Sequence, residues 1–175
     1  MASEFLQLHV RGTGNAPRGI LECPGRRLRC TLGRGGVRAD KQEGDGATPA
    51  GSWPLRRVLY RPDRVPPPET ALPVEQLTES DGWCDDPRDA AYNKPVRLPY
   101  PASAEEMWRP DRLYDIVVVI GHNDDPAIPG LGSAIFMHLA DPDGKATAGC
   151  IGLALSDLTD LLRHCGPGTR LIVEP

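Results

Sequence analysis

Apolar positions interleaved with polar ones make residues 4–10 read as a first strand and residues 19–32 as a hairpin. Within the second stretch, Cys23-Pro24-Gly25-Arg26 predicts a type II turn. Proline presets φ at its second position and glycine accepts a positive φ at its third. The resulting hairpin register sets Leu21 opposite Leu28 and Gly19 opposite Cys30, so Cys23 and Cys30 do not face one another. Residues 33–51 read as a long turn-rich connection, and 52–60 as a strand with Pro54 at its start or on an edge. The runs 113–121 (LYDIVVVIG) and 133–139 (SAIFMHL) are apolar without alternation, which suits central strands covered on both faces. One helical stripe stands out: Leu158, Leu161, Leu162 and Cys165 recur at i, i+3, i+4, i+7. The spacing predicts a helix over 156–165, with Ser156 as N-cap and Gly166-Pro167 as the stop. TRLIVEP closes the chain as a last strand.

Between the strands, residues 61–112 form an irregular insert with ten of the 19 prolines and two of the three tryptophans. Its one predicted helix is 104–108, opened by the capping-box pattern Ser103-x-x-Glu106. Glycine and proline together make 38 of the 175 residues, which excludes a long-helix architecture, since proline costs about 3 kcal/mol inside a helix. The expectation is a single, mainly β, sandwich-like domain over 1–175 with one helix near its end and no internal repeat.

Charge and cysteine usage narrow the function. At net charge −4 with no basic run, nucleic acid is not an expected partner. No apolar run approaches the length of a transmembrane helix. The opening MASEFLQLHVRG lacks the basic and apolar regions of a signal peptide and reads as a strand. The five cysteines show no zinc-type spacing. The stretch GRGG (33–36) lacks the Gly-Lys-Ser/Thr end of a phosphate loop.

The chemistry concentrates in Ser133–Leu153. His138 lies near the end of a buried strand, and a turn-rich loop leads to Thr147-Ala148-Gly149-Cys150. Small residues ahead of Cys150 let backbone approach a ligand, and the N–H groups of Gly149 and Cys150 are candidate donors to an oxyanion. A thiol is only a few per cent ionised at neutral pH, so a nucleophilic Cys150 calls for a base. His138 could take its proton and hold an ion pair, given an orienting backbone carbonyl. The competing reading is a core histidine beside a buried structural cysteine.

His138 followed by Thr147-Ala148-Gly149-Cys150-Ile151-Gly152-Leu153 resembles the active-site signature of the L,D-transpeptidase (YkuD-type) catalytic domain. Asp45-Gly46-Ala47-Thr48-Pro49-Ala50-Gly51 resembles the upstream Thr-Pro-x-Gly element of that family. The resemblance spans about residues 4–174 and implies a β-rich fold acting on peptidoglycan stem peptides or muropeptides. It implies that Cys150 attacks an L-centred carbonyl, forms a thioester and passes the acyl group to an amine, with carbapenem acylation as a further expectation. The chain departs from the pattern at Ala148, where many members have histidine, at Leu139, and at Gly152, where many have arginine. The His-to-Cys loop is also shorter than usual, and the stretches GWCDDPRDAAYN (82–93) and GHNDD (121–125) resemble features of a short, divergent branch; the departures leave donor and acceptor open.

Around this pair, His122 and Asn123 in GHNDD (121–125), Trp83 and Tyr92 in the insert, and Thr147 are candidate substrate contacts. Asp85, Asp86 and Asn93 could share a groove with Trp83 and Tyr92, and Arg56 and Arg57 could meet a substrate carboxylate. No cofactor is needed. A metal held by His122, Asp124 and His138 is a rival reading, as are hydrolysis of the same thioester and a non-catalytic peptidoglycan-binding module. The resemblance implies the cell envelope; without a visible export signal, a cytoplasmic muropeptide is the alternative substrate.

Overall fold

The computed structural model describes residues 7–15 and 17–175, so residues 4–6 of the first expected strand lie outside the described residues. In chain order the strands are β1 (Gln7–Gly12), β2 (Arg18–Cys23), β3 (Arg26–Thr31), β4 (Val37–Arg38), β5 (Thr48–Pro49), β6 (Gly51–Tyr60) and β7 (Val74–Gln76). They continue with β8 (Asp81–Cys84), β9 (Pro95–Arg97), β10 (Ala104–Glu106), β11 (Ile116–Ile120), β12 (Phe136–Leu139) and β13 (Ile151–Leu153). One helix, α1 (Leu155–Leu162), precedes β14 (Arg170–Glu174). The hairpin β2–β3 has the expected register, Leu21 on Leu28 and Gly19 on Cys30, with Gly25 at φ +71° in its turn. All five cysteines, which lie among the described residues, are thiols and form no disulfide with one another.

The main sheet runs β11-β12-β13-β3-β2-β1-β14-β6-β7, and β6 also pairs with β11. That last pairing closes eight strands into a barrel, so the two layers expected of a sandwich are opposite walls of one sheet. Closure leaves only short edges to protect. Strand β6 makes it possible through its length: residues 51–54 pair with β14, and residues 55–60 pair with β11.

Two cores follow from the alternation of side chains along each strand. Leu8, Leu21, Val58, Val118, Met137, Ile151 and Leu171 fill the barrel together with Leu158, Leu161 and Leu162 of α1. The opposite face of β11 and β12 carries Val117, Val119 and Phe136, which pack against Trp83, Leu77 and Met107 of the insert. The sheet β10-β8-β9 belongs to that insert. Both faces of β11 are therefore covered, which is why its sequence is apolar without alternation.

Three expectations change. Residues 104–106 form a strand, not a helix: Ala104 to Glu106 pair with Cys84 to Gly82 of β8. Pairing with β8 and the burial of the adjacent Met107 outweigh the local capping-box signal. The N-cap of α1 is Ala154, without a side-chain cap, because β13 runs almost directly into the helix and places Ser156 inside its first turn. The helix stops at Leu162, with Arg163 at its C-cap, before Gly166-Pro167. Pro54 is the fourth residue of β6 and lies within it. It is tolerated there because its carbonyl makes the cross-strand bond, accepting from Gly121 N–H at 2.8 Å.

Candidate active site

Register places the two candidate side chains, His138 and Cys150. In the parallel pair β12–β13, Met137 faces Ile151 and His138 faces Gly152. Side chains alternate along a strand, so Phe136 and His138 share one face of the sheet, and Cys150 falls on that same face beside Phe136. It is the face the insert covers. Gly152, opposite His138, has no room for a side chain: a Cβ there would lie 2.3 Å from Thr31 Oγ1. An arginine at this position, as many members of the resembled family have, does not fit the local packing.

Cys150 and His138 line one cavity of about 470 Å³, with Glu105, Tyr114, Arg34 and Lys145 among its other walls. Cys150 is only 6% exposed, so the thiol sits on the cavity floor and not on an open loop as its sequence context suggests. Its sulfur is held by backbone: Phe136 N–H donates to Sγ at 3.3 Å, and the thiol donates to Ala134 O at 3.3 Å. His138 Nδ1 is 2.8 Å from Leu139 O. A carbonyl only accepts, so Nδ1 carries the proton and Nε2 keeps its lone pair. The orienter of His138 is thus a backbone carbonyl, supplied by the next residue.

Burial sets the protonation states. It pushes the Cys150 thiol up to about 12; the Glu105 carboxylate adds to the rise, while Phe136 N–H, Lys41 and Arg109 oppose it. Burial takes the His138 imidazole down to about 4, against the pull of the Leu139 carbonyl. At neutral pH both groups are uncharged, which replaces the expected resting ion pair with a neutral thiol and a neutral base.

The loop bearing Cys150 is built by close backbone contact. Thr147 Oγ1 donates to Cys150 O at 2.7 Å and accepts from Gly149 N–H at 3.1 Å. Gly149 N–H is therefore engaged within the loop, and its expected role as an oxyanion donor becomes a structural one. Gly149 has φ +133°, and a Cβ on it would lie 2.7 Å from Ala47 O. Gly33 stands between Gly46 and Gly149, its N–H donating to Thr48 Oγ1 at 2.9 Å. The upstream element 45–51 thereby buttresses the cysteine loop.

Two groups missed in the sequence complete the cavity. Tyr114 donates its hydroxyl to Glu105, and its ring lies 5.2 Å from that of His138. Burial raises the Glu105 carboxyl, with Asp85 and Glu43 adding to the rise and the Tyr114 hydroxyl and Arg109 opposing it. Glu105 escaped notice because the capping-box pattern assigned it to a helix. Tyr114, just ahead of an apolar strand, gave no signal beyond a core aromatic.

The other sequence candidates are placed differently. His122 is buried edge-on against Trp53, at 4.8 Å between ring centroids, and does not line the cavity. Burial, then Lys41, lowers its imidazole to about 4. Asn123 closes its own loop, donating to Ile128 O and Gly132 O. Trp83 is buried on Phe136 and donates to Asn93 Oδ1. Tyr92 is buried and bonds Glu43. Of the five candidate substrate contacts, Thr147 alone lines the cavity. Arg56 is tied to Asp124 by two bonds of 3.0 Å, and Arg57 lies over the Trp83 ring. The metal reading fails on placement: His122 faces Trp53, Asp124 faces Arg56, and His138 is on another strand.

The family model of the L,D-transpeptidase catalytic domain (YkuD) matches residues 22–173, and the chain belongs to that family. An L,D-transpeptidase structure from Mycobacterium smegmatis is 12% identical, with a TM-score of 0.44 and a match covering 96% of this chain and 58% of that one. L,D-transpeptidase 1 of Mycobacterium tuberculosis is 11% identical, with a TM-score of 0.40, over 95% of this chain and 61% of that one. The chain thus spans less than two thirds of the length of these two structures. No curated protein matches.

Proposed function

We propose that the chain is a peptidoglycan L,D-transpeptidase domain that works by cysteine acyl transfer in the cell envelope. The observation that carries this reading is the shared cavity, lined by both Cys150 and the His138 imidazole, whose Nδ1 is tied to Leu139 O. Cys150 Sγ attacks the carbonyl of an L-centred residue in a stem peptide as its proton passes to His138 Nε2. Because both groups rest uncharged, proton transfer accompanies attack and does not precede it. With Gly149 N–H engaged, the oxyanion role falls to Cys150 N–H. The tetrahedral intermediate collapses, the C–N bond breaks, and the imidazolium returns its proton to the leaving amine. An acceptor amine then attacks the thioester, gives its proton to His138, and releases the thiol.

Incubation with defined tetrapeptide muropeptides, with Cys150→Ala as control, tests the reading by intact-protein and product mass. A thioester adduct plus cross-linked dimers is the expected result. Adduct formation with tripeptide and no dimer would assign hydrolysis instead. No adduct with either muropeptides or a carbapenem would leave a binding module.

A further inference from the structure

We propose that Asn93, contributed by the proline-rich insert, is a positioning residue for the Cys150 thiol, acting through the backbone of Ala134. The proposal rests on the reading of Cys150 as nucleophile. Asn93 is 6% exposed and uses its whole hydrogen-bonding capacity. Its Oδ1 accepts from Trp83 Nε1 at 2.9 Å and from Ala134 N–H at 3.0 Å. Its Nδ2 donates to His122 O at 3.0 Å and to Asn123 O at 2.7 Å. Indole and backbone N–H groups only donate, and carbonyls only accept, so the amide has one possible orientation.

What it grips is a strained residue. Ala134 has φ +52°, the left-handed conformation that an alanine rarely adopts. This turn brings two backbone groups onto one sulfur: the Ala134 carbonyl accepts from Cys150 Sγ at 3.3 Å, and Phe136 N–H donates to it at 3.3 Å. Neighbouring clamps act one or two residues earlier, through Tyr92 on Gly132 N–H and Glu43 on Ser133 Oγ. Asn93 is the side chain that holds Ala134 itself. Without it, Ala134 relaxes toward negative φ, its carbonyl swings away, and the thiol loses the contact that fixes its direction.

Asn93→Gly is the informative variant, because Asn93 is itself at φ +56° and glycine keeps that backbone. Thioester formation is expected to fall by about 100-fold in kcat with KM unchanged, the loss typical of a reacting atom displaced by about 1 Å. The midpoint of Cys150 alkylation by iodoacetamide is expected to move down, since the S–H loses its acceptor. Adding Ala134→Gly, which takes a positive φ freely, should recover at least about 10-fold. A folded Asn93→Gly protein with a lower Tm but unchanged kcat and alkylation midpoint would overturn the proposal. So would an equal loss in the Ala134→Gly background. If Asn93→Gly does not fold, nuclear magnetic resonance of the unmodified protein decides. Blocking Cys150 should shift the Ala134 N–H and Asn93 side-chain amide signals together, and an unmoved Asn93 signal would overturn the coupling. Alkylation needs no peptide substrate, so failure of the functional reading and failure of this one are separable.

Discussion

The behaviour of Cys150 and His138 is set by burial more than by their mutual charge. An imidazole held down to about 4 is an available base throughout the neutral range. Thioester formation should therefore stay level as pH falls from 7 to 5, and decline only as pH drops through about 4. A decline centred near the ordinary histidine value of 6.5 would show that His138 is not held in this way. His138→Gln should lower the rate of thioester formation by about 10²–10⁴-fold while leaving Cys150 in place, as read by adduct mass against time.

At the level of elements, the site depends on loops that touch through glycine. Gly149 joins a positive φ to a 2.7 Å approach by the Ala47 carbonyl, and both features oppose a Cβ. Gly149→Ala should destabilise the fold by about 2–3 kcal/mol, seen as a lower denaturation midpoint, with loss of thioester formation even where the protein remains folded. Gly144, also at positive φ but with open space around its Cβ position, offers a control: Gly144→Ala carries only the backbone strain. Strand β10 shows how an insert can mislead. Its capping-box pattern is a local signal, whereas its pairing with β8 and the packing of the adjacent Met107 are long-range contacts that outweigh it.

The two buried histidines give the molecule a pH dependence whose sign is set by their burial, with the raised Glu105 carboxyl acting against it. His122 and His138 both have their imidazoles lowered from 6.5 to about 4 by burial first. The folded state then binds fewer protons than the unfolded chain between these values. The stability each contributes is complete above pH 6.5 and is lost as pH falls from 6.5 through about 4, by on the order of 3 kcal/mol per histidine. Asp111, held low by Arg109, titrates below 3.8 and lies outside that window. Urea denaturation at pH 7 and pH 4.5 checks this: the midpoint should fall, and His122→Phe should remove part of the fall. An unchanged midpoint would contradict it.

The sequence by itself determined the hairpin register at Cys23-Pro24-Gly25-Arg26, the doubly covered strands around Val118 and Met137, the leucine stripe of α1, and the pairing of His138 with Cys150 as candidate chemistry. These depend on turn geometry, side-chain period and residue spacing, all of which act over a few positions. Tertiary structure alone decided that β6 and β11 close a barrel, that residues 104–106 extend a sheet, and that Glu105 and Tyr114 line the cavity with Cys150. It also decided that the thiol and imidazole rest neutral and that Gly149 N–H is engaged. Each of these outcomes comes from desolvation or contact between segments far apart in the chain, and no local pattern encodes that.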